Sequence, residues 1–281
     1  MTLFRFIADF TYEEIPGGSE AADKEFCELL GDNWSVSNIV KSKDVTVEFL
    51  SHKLKHNEKI WYVVSNFIQL SEECKKYLQD NLNYILFEHD FKCFLERHPT
   101  RYKSNNYIVP DDQIINREFY KKAKLVIYQT DKQKEIIEKN LNLFNGFSLN
   151  GNLFSEKDLS IINNIIDNSG YAHNGVYAIV DDDNPIKGKQ DAIKYAKSKN
   201  LEYCLISKNI DRKQFLETLR KYKGIILMPT ILESCSRLAI EAKLMGLEVI
   251  SRNCPIMDID FDYASIYNCK HELVQILDEL I

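Results

Sequence analysis

The amino-acid sequence predicts an α/β protein built from two doubly wound parallel-sheet domains. Three observations carry that prediction. Short apolar runs alternate with helically spaced patterns along most of the chain. The 281 residues lie near the limit of about 250–300 beyond which a single core divides. A stretch rich in Asn, Gly, Ser and Asp, residues 149–175, interrupts the alternation near its middle.

Taken in order, residues 3–8, 59–64, 84–87 and 125–128 read as strands. Helices are expected at 19–30, where Ala22, Phe26, Leu29 and Leu30 recur at helical spacing, and at 71–82 and 131–143. The second half continues with strands at 176–180, 203–206, 224–228 and 248–251 and helices near 190–198, 212–221 and 237–245. A short apolar helix at 159–166 lies within the connection, so the boundary is placed near residue 165, giving domains 1–165 and 166–281. Leu273, Ile276, Leu277 and Leu280 make 270–281 an amphipathic helix suited to packing. Ligands of such two-domain proteins usually lie in the crevice between the halves.

Composition narrows the chemistry. With 36 basic against 42 acidic residues the net charge is -6, so no sequence-wide field recruits nucleic acid, and an anionic ligand has to be held locally. Lys121, Lys122 and Lys124, with Lys53 and Lys55, supply basic faces that suit anionic lipid or plain solvent. The seven cysteines are scattered without zinc spacing, which fits free thiols in a reducing compartment. Arg5 and Asp9 interrupt the first apolar run and no stretch of about 18 apolar residues occurs, so a cytoplasmic protein that does not span a membrane is expected.

Two local patterns carry chemistry. Pro16-Gly17-Gly18-Ser19-Glu20 follows the first strand and opens a helix. Adjacent glycines permit positive φ and let backbone N–H groups approach an anion or sugar oxygens, although a tight connection uses the same residues. The second pattern, residues 229–242, follows the strand at 224–228. Glu233 stays in the loop at the sheet's carboxyl edge while Glu241 lies about two turns further along the helix. Between them the N–H groups of Ser236, Arg237 and Leu238, reinforced by the helix dipole, suit a diphosphate. Either glutamate alone would read as a neighbour of a helix cap or a residue of a solvated face.

Together these elements resemble the GT-B glycosyltransferases, in particular the large retaining, family 4-like group with a PGG-x-E turn and an E-x7-E motif. Residues 16–20 match the first; Glu233 and Glu241, separated by seven residues, match the second. Residues 123–130, Asn150-Gly151, Lys187-Gly188 and 241–250 resemble further family segments in the same order. The resemblance implies two Rossmann-like domains facing a central cleft. It implies transfer of a sugar from a nucleoside diphosphate sugar to an acceptor hydroxyl with retained configuration and without metal or cofactor. Glu233 would then accept hydrogen bonds from the donor sugar, Glu241 from the ribose hydroxyls, and Lys187 would neutralise the diphosphate. Gly17 and Gly18 would approach the same phosphates. His89 would lie near the reacting sugar, although a histidine at a strand end equally fits a satisfied structural role.

The chain also departs from that pattern. Asp181 and Asp182 occupy the region where relatives carry a phosphate-binding arginine, leaving Arg237, Arg252 or Lys208 as replacements. Ser236 stands where a glycine is common, and Glu248 where a proline is. Two alternatives follow: a sugar-nucleotide binding protein with little or no transferase activity, and a metal-dependent GT-A-type transferase using Asp181 and Asp183. An acidic turn before Pro185 is the plainer reading of that triplet. A dinucleotide-dependent oxidoreductase is the least favoured reading, because the first strand is not followed by G-x-G-x-x-G.

Overall fold

A computed structural model describes residues 2–52, 59–169, 173–259 and 262–281, so Lys53 and Lys55 lie outside the described residues. The chain divides into two compact units, Met1–Leu153 with Tyr267–Ile281, and Phe154–Ile266.

The first unit runs β1 (Thr2–Ala8), α1 (Gly18–Asn33), β2 (Ser35–Val36), β3 (Val40–Lys41), α2 (Val47–Ser51), β4 (Lys59–Val64), α3 (Glu72–Asn81), β5 (Asn83–Glu88), α4 (Arg117–Lys122), β6 (Leu125–Tyr128), α5 (Asp131–Leu141) and β7 (Gly146–Ser148). Its sheet has the order β2-β1-β4-β5-β6-β7, with β3 also on β1, and the pairings are parallel. Alternation along the strands sends Phe4, Phe6, Trp61, Val63, Ile85, Phe87 and Ile127 to one face, where they pack with Ala22, Phe26 and Leu30 of α1. On the other face the hydroxyls of Tyr62 and Tyr84 donate to the carbonyls of Leu50 and Phe119. Cover on both faces is why these strands are apolar nearly throughout. Arg5, inside β1, is satisfied by the carbonyl of Phe49 and the hydroxyl of Tyr62, each at 3.1 Å, and lies over the Phe49 ring.

The second unit continues with α6 (Glu156–Ser169), β8 (Tyr177–Asp181), α7 (Lys189–Ser198), β9 (Tyr203–Ser207), α8 (Arg212–Leu219), β10 (Gly224–Leu227), α9 (Arg237–Leu244), β11 (Glu248–Ser251) and the start of α10 (Tyr263–Leu280). Its parallel sheet has the order β11-β10-β8-β9. Ala178 and Ile225 face α6, α8 and α9, while Ile179, Ile226 and Met228 face α7 through Ala192 and Ala196. Hydroxyl and carboxylate caps begin several helices where the sequence pattern starts them: Ser71, Thr130, Asp211 and Ser236 accept backbone N–H groups of α3, α5, α8 and α9.

The division differs from the one expected. Residue 165 falls inside α6, whose Leu159, Ile162 and Ile165 belong to the core of the second unit, so the break comes at Leu153–Phe154. The C-terminal stretch returns to the first unit, where Cys269, Leu273 and Leu277 of α10 pack with Phe26 and Leu30 and Lys270 donates to Glu25 at 2.5 Å. Apolar spacing predicted both helices, but an apolar stripe does not say which sheet it will cover.

The seven cysteines are free. Burial pushes the thiols of Cys254 and Cys269 up to about 12, whereas Cys204 is exposed on β9. A thiol-disulfide reagent at mildly alkaline pH is therefore expected to modify Cys204 first and to spare Cys254 and Cys269 until the protein unfolds. Peptide mass spectrometry of timed samples checks this, and early modification of Cys254 would contradict its burial. Among the described residues no helix is long and apolar enough to cross a membrane.

Candidate functional site

In the second unit the chain passes from β8 through α7 to β9 on one side, and then to β10 on the other side of β8. The loops leaving the carboxyl ends of β8 and β10 therefore part at a topological switch point, the place where open parallel sheets bind ligands. They are stitched together there: the N–H of Thr230 donates to the carbonyl of Ile186 at 2.9 Å. Lys187, from the first loop, donates to Glu233 Oε1, from the second, at 3.0 Å, and both side chains keep some exposure. The N–H of Glu233 is held by the carbonyl of Asn253 beyond β11, at 2.9 Å.

Glu241 is already ion-paired. It is buried, 1% exposed, and its Oε1 accepts from Arg237 Nε at 3.1 Å and pairs with the guanidinium of Arg212. Arg237 is itself buried, with Nη2 on Asp158 Oδ2 at 2.5 Å and its guanidinium over the Phe154 ring at 4.1 Å. Leu238 packs its side chain against the core of the unit. Ser236, in the place of a common glycine, caps α9 by accepting from the N–H of Ala239. The start of α9 thus remains an N-terminal turn directed from the carboxyl edge, with Arg237 and Leu238 contributing only their backbone.

The acidic triplet is neutralised from within. Lys189 donates to Asp181 at 2.8 Å and Asp183 at 2.5 Å, and these contacts raise the pKa of its ammonium. Lys208 pairs with Asp182 at 2.8 Å. Burial pushes the Asp182 carboxyl up, but the hydrogen bond from Lys208, the N–H of Asn184 and the charge of Lys187 together hold it below the usual range. Each suggested replacement for the missing arginine already has an acidic partner: Arg252 pairs with Asp191, Arg237 with Glu241 and Asp158, Lys208 with Asp182. Of these, Lys208 shares the neighbour Asp182 with Lys187. Among the described residues no group of three or more His, Cys, Asp or Glu gathers to hold a metal ion.

In the first unit the switch point lies between β1 and β4, and Asp9 ties the two outgoing loops by accepting from the N–H groups of Ile68 and Gln69. Gly17 is the N-cap of α1, at φ -91 and ψ 172, and neither it nor Gly18 takes a positive φ, contrary to the reason given above for two glycines. The helix begins at Gly18 itself, and a Cβ on Gly17 would meet only the end of the flexible Glu20 side chain and, more loosely, Ile15.

His89, just beyond β5, has both ring nitrogens engaged. Its Nε2 donates to the buried Asp23 Oδ1 at 2.7 Å, its Nδ1 faces Gln129 Nε2 at 3.3 Å, and its ring meets that of Phe87. A carboxylate accepts only, so Nε2 is the donor in that contact. Ser65 donates to the same Asp23 oxygen at 2.5 Å. These contacts fix the orientation of the ring. Asp23, Ser65 and Gln129 were not singled out from the sequence; the signal for Asp23 was a carboxylate three residues after Glu20 on the buried side of α1.

No family model matches the chain, and no curated protein does either. Solved structures are similar in fold. Anabaena HepE in complex with UDP and glucose matches with a TM-score of 0.52 at 13% identity over 92% of this chain and 83% of that one. HepE in complex with UDP also gives 0.52 at 13% identity, over 98% and 90%. An apo structure of OtsA gives 0.50 at 9% identity, over 99% and 91%. With two parallel-sheet units, the chain is an α/β protein of the GT-B fold with two Rossmann-like domains.

Proposed function

We propose that this chain is a glycosyltransferase that moves a sugar from a nucleoside diphosphate donor to an acceptor hydroxyl. The observation that carries the reading is the Lys187–Glu233 pair at the switch point of the second unit, 46 residues apart in sequence and next to the start of α9. A lysine and a helix N-terminus beside one another stabilise a departing diphosphate, and a half-exposed carboxylate accepts hydrogen bonds from sugar hydroxyls. HepE, in the same fold class, is described with UDP and glucose, so UDP and UDP-glucose are the first ligands to try.

In this reading Lys187 and the first N–H groups of α9 carry the charge that develops on the leaving phosphate. Glu233 orients the donor sugar, and the chemistry rests on positioning with retained configuration. Among the described residues no carboxylate stands out as a covalent nucleophile, and the reading takes a front-face substitution in which the leaving phosphate oxygen takes the acceptor proton. His89, tied to Asp23 and Gln129, is held in one orientation at the end of β5. The acidic residue in place of the usual arginine and the paired state of Glu241 favour one second reading, a protein that binds sugar nucleotides and transfers little.

Glu233→Gln tests the assignment. Turnover is expected to fall by about two to three orders of magnitude, the scale of losing one charge-assisted contact to the reacting group, with the fold intact. Unchanged turnover and donor affinity would remove Glu233 from the site. Donor binding by the wild type without transfer or hydrolysis would favour the second reading.

A further inference from the structure

Resting on the donor-binding reading above, we infer that Arg212 is a displaceable cap on Glu241, occupying the carboxylate until the ribose of a nucleotide takes its place. Glu241 Oε1 is shared by two guanidiniums in a pocket where the carboxylate is 1% exposed. A ribose hydroxyl reaching that oxygen has to displace one of them. Arg237 is the fixed partner: its side chain is 7% exposed, it bonds Glu241 and Asp158 together, and its guanidinium lies on the Phe154 ring. Arg212 is the less enclosed one. Its side chain is 36% exposed, and its other acidic neighbour, Asp158, stands at 4.0 Å.

Position adds to the argument. Arg212 opens α8, directly after the loop that leaves the carboxyl end of β9, while Glu241 is in α9 and Asp158 in the first turn of α6. The cap therefore comes from the segment that follows a strand end of the same sheet. Glu241 keeps Arg237 when Arg212 leaves, so no buried charge is stranded. Arg212 thus sets how readily this protein accepts a nucleoside.

The experiment uses the full chain and three probe pairs, uridine with UDP, guanosine with GDP and adenosine with ADP, by isothermal titration. For the pair that the wild type binds, Arg212→Gln is expected to tighten nucleoside and diphosphate by the same factor, about fivefold, since a partly exposed ion pair no longer competes. Arg212→Lys, which keeps the charge, is expected to bind close to wild type. Weaker diphosphate binding with unchanged nucleoside binding would make Arg212 a phosphate ligand and overturn the cap. Unchanged affinity for both would overturn it as well. If wild type and variants alike ignore all three pairs, the donor-binding reading falls and the cap with it, an outcome distinct from failure of the cap alone.

Discussion

Replacing Lys92 by methionine is expected to destabilise the first unit by about 3–5 kcal/mol, the cost of stranding a buried charge. Lys92 follows β5 and is 2% exposed, with Nζ 2.8 Å from Glu88 Oε1 and 2.9 Å from Asp90 Oδ1. Glu88 is fully buried, and its second oxygen accepts from the hydroxyl of Tyr120. Burial pulls the Lys92 ammonium toward neutrality, but Asp90 and Glu88 outweigh it and hold its pKa above the ordinary value. Burial likewise pushes Glu88 up, partly offset by Lys92. Without the lysine, Glu88 has either to remain charged in an apolar site or to take a proton.

That choice gives the pH dependence its sign. A carboxyl whose folded pKa is raised favours the folded state below its unfolded value and loses that contribution as pH rises through the folded one. In the variant Glu88 has no cation and its pKa climbs further, so the deficit relative to wild type is expected to shrink from neutral pH toward about pH 5. Thermal melting at several pH values measures this, with a fall of about 10 °C at neutral pH for a unit of this size. The double variant Glu88→Gln/Lys92→Met keeps an acceptor for Tyr120 and removes both charges; recovery of most of the loss is expected. A single variant as stable as wild type would mean that the pair is solvated.

The elements legible in the sequence were those long enough to show a period. β1, β4, β5 and β6 and the four strands of the second unit lie within a residue or two of their expected places. β2, β3 and β7 have two or three residues, too few for alternation to register, and α4 has six. The boundary was misplaced for another reason: 159–166 shows an apolar stripe, but only the fold reveals that the stripe meets Ala178 and Ile225. The same division runs through the site. Lys187 and Glu233 were legible because each follows a strand closely, and strand ends are where a parallel sheet presents its chemistry. Arg212 and Asp158 were not, since their relation to Glu241 spans 29 and 83 residues (241 − 212 and 241 − 158) and depends on α6, α8 and α9 converging.

Gly188→Ala is the second large effect and bears on the site directly. Gly188 follows Lys187, takes φ +69 and begins α7, and a Cβ there would lie 1.7 Å from the carbonyl oxygen of Met228 at the end of β10. Two costs combine: an alanine in the left-handed region, about 1–2 kcal/mol, and an overlap with backbone that no side-chain rotation relieves, about 1–3 kcal/mol. Gly246→Ala separates them. That glycine has φ +72 with nothing within 4 Å of a Cβ, so it bears the first cost alone. Hydrogen exchange of β8 and β10 is expected to report a loss of about 2–5 kcal/mol for Gly188→Ala and about 1–2 kcal/mol for Gly246→Ala. Relief of the overlap has to part the loops after β8 and β10, pulling Lys187 from Glu233 and Thr230 from Ile186. Donor binding is therefore expected to fail in Gly188→Ala under conditions where the protein remains folded, and to survive in Gly246→Ala. Equal effects of the two substitutions would mean that the loops do not approach as closely as the Lys187–Glu233 pair requires.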